Sequence, residues 1–82
     1  MKIIFEPSAT RDIKKLDIPI QRRVLATLDD FSMGKSVDIR KMEGMNAIWR
    51  IRVGDYRIVL EIVVIDDVAY VLKVRHRREV YR

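Results

Sequence analysis

The stretch Trp49-Arg50-Ile51-Arg52-Val53-Gly54-Asp55-Tyr56-Arg57-Ile58 constrains the chain more than any other. Trp49, Ile51 and Val53 alternate with Arg50 and Arg52, the period of two that a half-buried strand shows. Gly54-Asp55 then reads as the two-residue loop of a tight hairpin, because glycine supplies the positive φ that such loops need. The loop length sets the register. Val53 falls opposite Tyr56, Ile51 opposite Ile58 and Trp49 opposite Leu60, all on one side of the sheet, which is therefore the core side. The other side receives Arg52 directly opposite Arg57, with Arg50 two residues along. Like charges facing each other cost stability, so this face is expected to meet something anionic.

Around the hairpin the pattern resolves into few elements. Lys2 to Glu6 reads as a short strand, with Pro7 and Ser8 offering turn and helix-cap chemistry. Ala9, Ile13 and Leu16 follow at helical spacing between Arg11, Asp12, Lys14 and Lys15, until Asp17 and Pro19 interrupt. A second helix is expected from Pro19 to about Phe31, with Ile20, Val24, Leu28 and Phe31 on one stripe and Met33-Gly34 closing it. Lys35 to Asn46 has no clear period and is read as an irregular connection, with Gly44 as a turn point. Past Asp66-Asp67 a further strand is expected to carry Val68, Tyr70, Leu72 and Val74 on the core face, with Lys73 and Arg75 on the outer face beside the arginines. For both faces to match, the loop at Asp66-Asp67 must hold an odd number of residues, or a bulge must intervene.

At 82 residues the chain is read as one domain, spanning 1–82, with room for a single two-layer core and none for separate cofactor and substrate domains. Charged residues make up 35% and hydrophobic ones 49%, which excludes a disordered segment. A formal net charge of +5 favours polyanionic partners through phosphate contacts, although a basic surface also serves solubility. Cysteine is absent and His76 is the single histidine, so no thiolate or multi-histidine metal site is expected, nor any cofactor. No run approaches the ~20 apolar residues of a membrane span, so a cytoplasmic protein is expected.

The candidate site is the outer face of the second half, where Arg50, Arg52, Arg57, Lys73 and Arg75 gather and the tail with His76, Arg77, Arg78 and Tyr81 emerges at the edge. Guanidinium groups bind phosphate bidentately and stabilise the added charge of a phosphorane transition state. An ordinary solvated sheet face is the alternative, but Asp and Glu are nearly missing there, Glu61 being the chief exception. His76 has a side chain suited to acid–base work near neutrality, or it is a packing residue. Tyr81 either stacks on a base or orients a hydroxyl, or pins the tail to the sheet. Trp49 and Tyr56 belong to the core register. On the outer face Val59, Val63 and Val71 form an apolar strip, to be covered by a partner or by the segment from Lys35 to Asn46.

Met45-Asn46-Ala47-Ile48-Trp49-Arg50-Ile51-Arg52-Val53-Gly54-Asp55-Tyr56-Arg57 resembles the central signature of RelE-type toxins, and Val74-Arg75-His76-Arg77-Arg78-Glu79-Val80-Tyr81 resembles its C-terminal end. The resemblance implies an α+β fold of order β-α-α-β-β-β, with a helical hairpin on one face of an antiparallel sheet, akin to small microbial ribonucleases. It implies a toxin of a type II toxin–antitoxin system that enters the ribosomal A site, among messenger and ribosomal RNA, and inhibits translation. There it cuts the message, without metal, by attack of the ribose 2′-hydroxyl on the adjacent phosphate. Its partner would be a cognate antitoxin, which the apolar strip would receive. Position by position, Arg50 and Arg52 match phosphate-holding basic residues and Arg57 the arginine that stabilises the transition state. Arg77 matches a residue near the leaving group, and Tyr81 the tyrosine that orients or activates the nucleophile. Arg50 and Arg52 stand where related toxins carry lysine, and an arginine does not deprotonate, which leaves His76 as the expected general base. Arg75 replaces a glycine common before this histidine, and either Arg77 or Arg78 points inward. The alternative from the same superfamily is a ParE-like, non-enzymatic inhibitor of DNA gyrase; a plain RNA-binding module ranks third.

Overall fold

The computed structural model describes residues 1–78. Two helices lie against one face of a five-stranded sheet of order β1-β5-β4-β3-β2. The elements run β1 (Lys2–Phe5), α1 (Pro7–Lys14), α2 (Ile18–Ser32), β2 (Ile39–Lys41), β3 (Ile48–Val53), β4 (Tyr56–Val63) and β5 (Val68–His76), with a short 3₁₀ turn at Val64–Asp66. All pairings are antiparallel except that of β1 with β5. The expected β-α-α-β-β-β order is present, with one strand more. None of the described helices is long and apolar enough to cross a membrane.

The β3–β4 hairpin has the register expected from its loop, pairing Val53 with Tyr56, Arg52 with Arg57, Ile51 with Ile58 and Trp49 with Leu60. Gly54 has φ +57, as a glycine in the first loop position should. A side chain there would also meet the Arg23 guanidinium, which lies 3.3 Å from where a Cβ would sit. Ile51, Ile58 and Leu60 are completely buried and form the centre of the core, against Ala9 of α1 and Val24 and Leu28 of α2. Both helices open on a proline in the first turn, where the missing N–H costs nothing.

Three expectations are corrected. Residues 35–46 are not wholly irregular: Ile39–Lys41 forms an edge strand on β3, pairing Arg40 with Arg50. That segment therefore extends the sheet sideways rather than folding over its outer face. Ser8 is not a helix cap, since α1 is capped at Glu6 without a side-chain bond; the Ser8 hydroxyl instead donates to the Leu72 carbonyl at 2.6 Å. The third correction concerns β5. Val63 pairs with Val68 around the even-numbered loop 64–67, so the parity is adjusted inside the strand, by a bulge where Val59 pairs with Lys73 but Leu60 with Val71. Leu72 is the extra residue. On the far side of it Ala69 and Val71 are the fully buried residues, while Val68 and Tyr70, expected on the core face, are only half-buried, as is Leu72 itself. Val74, Lys73 and Arg75 keep the faces expected of them.

The edge of β5 is only partly covered by a strand, because β1 pairs with it only as far as Val71. Beyond that point α1 supplies the partners: Ser8 at Leu72, then Asp12, whose Oδ2 accepts the Val74 N–H at 3.0 Å and Arg75 Nε at 3.0 Å. Asp12 is only 9% exposed, so its charge depends on these two donors. Replacing it by alanine leaves a buried N–H without a partner, and Asp12→Ala is expected to lose ~1–3 kcal/mol in denaturant unfolding. Leu60→Ala, which opens a cavity in the centre of the core, is expected to lose ~2–5 kcal/mol. An Asp12→Ala protein as stable as the wild type would show that α1 does not depend on this contact.

Candidate nucleic-acid interface

The face of the sheet that the helices leave open carries two cationic rows. One runs across the strands through Arg40, Arg50, Val59 and Lys73, the other through Arg52, Arg57 and Arg75. Alternation on β3 puts Arg50 and Arg52 on the same side two residues apart, and the hairpin register brings Arg57 beside Arg52. Val59 is nearly fully buried although it lies on this open face; its neighbours in the row are Arg50 and Lys73, whose aliphatic stems suit an apolar cover. Direct juxtapositions of like charge, Arg40 with Arg50, Arg52 with Arg57 and Arg57 with Arg75, are arrangements that a sheet selected for stability avoids.

Asp38, Arg40, Arg50, Arg52 and Arg57 line a cleft of ≈ 220 Å³. Small-molecule pockets run to roughly 300–1,000 Å³ and are mostly apolar. This cleft is smaller and charged, and suits a phosphate on a chain better than an enclosed ligand. Arg57 donates through Nη1 to the carbonyls of Gly54 and Tyr56, at 3.1 and 3.0 Å, which holds its guanidinium at the hairpin's own turn. Partial burial pushes the Arg57 pKa below its ordinary value, and Arg50, Arg52 and Arg77 push it the same way, while Asp38 opposes them. Arg77 is thus within electrostatic reach of Arg57, and its N–H is anchored to the Asp55 carbonyl at 2.7 Å.

The remaining expected site residues separate. Lys73 stays on the open face but does not line the arginine cleft. Arg75 is held by Asp12 at the edge of β5. His76 does not join the arginines: it pairs with Tyr56 on the helix side of the sheet, the two rings meeting edge to face with centroids 5.6 Å apart. With Lys15, Leu16, Asp12, Val74 and Arg75 they line a second cleft, so the sheet stands between His76 and Arg57. The reason is strand alternation, which puts His76 on the face of Val74 and its cross-strand partner Tyr56, opposite to that of Arg57. Arg78 is exposed and its N–H approaches His76 Nδ1 at 3.3 Å. Tyr81 lies outside the described residues.

Arg40 and Asp38 were missed from the sequence. Both belong to the segment without a period, and a three-residue strand is too short to produce one. Asp38 is tied to Arg52 twice, its carbonyl accepting the Arg52 N–H at 2.9 Å and its Oδ2 meeting Arg52 Nε at 2.8 Å.

The family described as the ParE toxin of the type II toxin–antitoxin system parDE matches residues 3–81. Toxin RelE3 of Methanocaldococcus jannaschii is 31% identical over 86 residues, covering 99% of this chain and 96% of the relative. The chain belongs to the RelE/ParE toxin superfamily. Among solved RelE structures, the toxin in the RelB–RelE antitoxin–toxin complex from Methanococcus jannaschii has a TM-score of 0.80 at 28% identity, covering 95% of this chain and 94% of its own. The isolated Escherichia coli RelE toxin has a TM-score of 0.79 at 23% identity, covering 98% of this chain and 89% of its own, a likeness of fold. In RelE terms, the central signature of this toxin forms β3 and its turn, and the C-terminal signature begins at the end of β5. The two therefore meet at one end of the sheet, through Tyr56–His76 and Arg57–Arg75.

The charge crowding has a measurable consequence. With its folded pKa below the unfolded value, Arg57 disfavours the fold while protonated, which is its state at every pH below that folded value. Added salt should therefore stabilise the wild-type protein against urea, and Arg57→Gln should reduce that dependence. Equal salt slopes for both would show that the arginines do not repel one another appreciably.

Proposed function

We propose that this chain is the toxin of a type II toxin–antitoxin pair and acts as a ribosome-dependent endoribonuclease, cutting messenger RNA in the A site and so inhibiting translation. The observation that carries the reading is the cleft of Arg40, Arg50, Arg52 and Arg57 on the sheet face that no helix covers. Such a surface offers bidentate donors to phosphate at an energetic cost to the free protein, which an anionic substrate would relieve.

In this mechanism the ribose 2′-hydroxyl attacks the adjacent phosphorus and the bond to the 5′-oxygen breaks. Arg50 and Arg52 hold the phosphate, and Arg57, leaving its resting bonds to the turn, stabilises the charge of the phosphorane. Preformed cations do this without the reorganisation that water would need, so the reaction proceeds on guanidinium groups without a metal. Arg77 serves the leaving group, being the tail arginine in electrostatic reach of Arg57. Tyr81 orients the nucleophile, by its match to the signature tyrosine. Lys73 and Arg78 extend the basic surface toward ribosomal RNA, whereas the Arg75 guanidinium is engaged by Asp12. His76 has its place with Tyr56 on the far side of the sheet, which argues against the proton transfer expected of it.

A cognate antitoxin is the proposed protein partner, as RelE toxins of Methanococcus jannaschii, Pyrococcus horikoshii and Escherichia coli have been solved in complex with RelB antitoxins. The apolar strip expected for it is reduced, since the bulge turns Val71 into the core and Val59 is nearly fully buried; Val63 on β4 is half-buried.

The match to the ParE family keeps a second reading, inhibition of DNA gyrase without catalysis. Reconstituted translation with mapping of RNA ends separates the two. Wild-type protein is expected to produce new ends in ribosome-bound message, and Arg57→Ala to slow cleavage by ~10²–10³, as loss of one transition-state donor does. Intact message together with blocked supercoiling in a gyrase assay would establish the ParE-like activity instead.

A further inference from the structure

We propose that Asp38 is the general base that takes the proton from the 2′-hydroxyl; the inference rests on the endonuclease reading above. Attack by a hydroxyl on phosphorus needs a proton acceptor, and among the described residues the cleft is otherwise built of groups that cannot be one. Arg40, Arg50, Arg52 and Arg57 stay protonated. His76 faces the other side of the sheet. Among the described residues lining the cleft, Asp38 is the carboxylate.

Stability does not account for a carboxylate at this position. The Asp38–Arg52 ion pair has side chains 44% and 62% exposed, and pairs so open to solvent contribute little. Binding does not account for it either, since a negative charge in a phosphate cleft repels the ligand. A catalytic role explains both. The carbonyl of Asp38 is fixed by the Arg52 N–H and its Oδ2 by Arg52 Nε, so the side chain is aimed into the cleft by the strand that also supplies the phosphate ligands. A carboxylate offers about four lone-pair sites, and holding Arg52 through Oδ2 does not exhaust them.

The step balances without a co-reactant. The hydroxyl oxygen bonds to phosphorus while its proton passes to Asp38; the departing 5′-oxygen takes a proton from water, and Asp38 returns its own to solvent. The products are a 2′,3′-cyclic phosphate and a 5′-hydroxyl.

The test compares wild type, Asp38→Asn and Asp38→Glu in single-turnover cleavage of ribosome-bound message across pH, with binding measured on a message bearing a 2′-deoxyribose at the cut position. Asp38→Asn is expected to lose ~10²–10³ in rate, within the range of general-base catalysis. It should bind the uncleavable message at least as tightly as wild type, and lose the fall in rate toward acid pH that protonation of the base produces. The charged groups facing Asp38, namely Arg40 on β2, Arg50 and Arg52 on β3 and Arg57 on β4, stay protonated across that range. Asp38→Glu should recover part of the rate. Cleavage by Asp38→Asn at or above the wild-type rate overturns the assignment, as does a loss of binding that matches the loss of rate and is not restored by glutamate. A wild type that leaves the message intact overturns the endonuclease reading and this inference with it.

Discussion

The register of the β3–β4 hairpin is the constraint on which the rest of this toxin depends. Gly54 lets the chain reverse in two residues, and once it does, every side chain from Ile48 to Glu61 is assigned a face. A slip of one residue would exchange Ile51 and Ile58, the centre of the core, for Arg52 and Arg57. Burying the aliphatic side chains is what opposes that slip, and the same burial holds the arginines together on the other face. Core and cleft are two consequences of one pairing, so the repulsion between Arg52 and Arg57 is sustained by the apolar contacts directly beneath it.

The free edge of β5 is the second organising feature. A parallel β1 covers only its first half, and α1 completes the edge with side chains in place of a strand. This arrangement has a consequence for the basic surface. Asp12 satisfies the Val74 N–H and simultaneously engages Arg75, drawing that guanidinium away from the cleft and toward the helix. The effective cationic site shifts accordingly toward β2, where Arg40 supplies the charge that Arg75 does not.

How far the site was legible from sequence follows the same physics. Arg50, Arg52 and Arg57 were readable because a strict period of two and a two-residue turn leave no freedom in where they point. Lys73 and Arg75 were assigned to the correct face, though for an incomplete reason, since the bulge at Leu72 sits within the strand rather than at the loop and so inverts Ala69 to Leu72. A bulge leaves no mark in an apolar run such as Val68-Ala69-Tyr70-Val71-Leu72, where either phase buries well. Proximity along the chain groups His76 with the arginines, but in a strand neighbours in sequence take opposite faces. Asp38 and Arg40 lay in a segment whose strand is too short to carry a pattern.

By itself, the sequence determined what local geometry can enforce: two helices opened by prolines, a hairpin in a single register, a core of Ile51, Ile58 and Leu60, and a family signature read off contiguous residues. Tertiary structure alone decided which elements became neighbours. It placed β2 beside β3, delivered Asp38 and Arg40 to the arginine cleft, set α1 against the open edge of β5 and put His76 across the sheet from Arg57. The physical reason is that periodicity encodes which face a residue takes within its own element, whereas the position of one element against another depends on edges, bulges and long-range hydrogen bonds such as Asp12 to Val74, whose partners lie far apart in the chain.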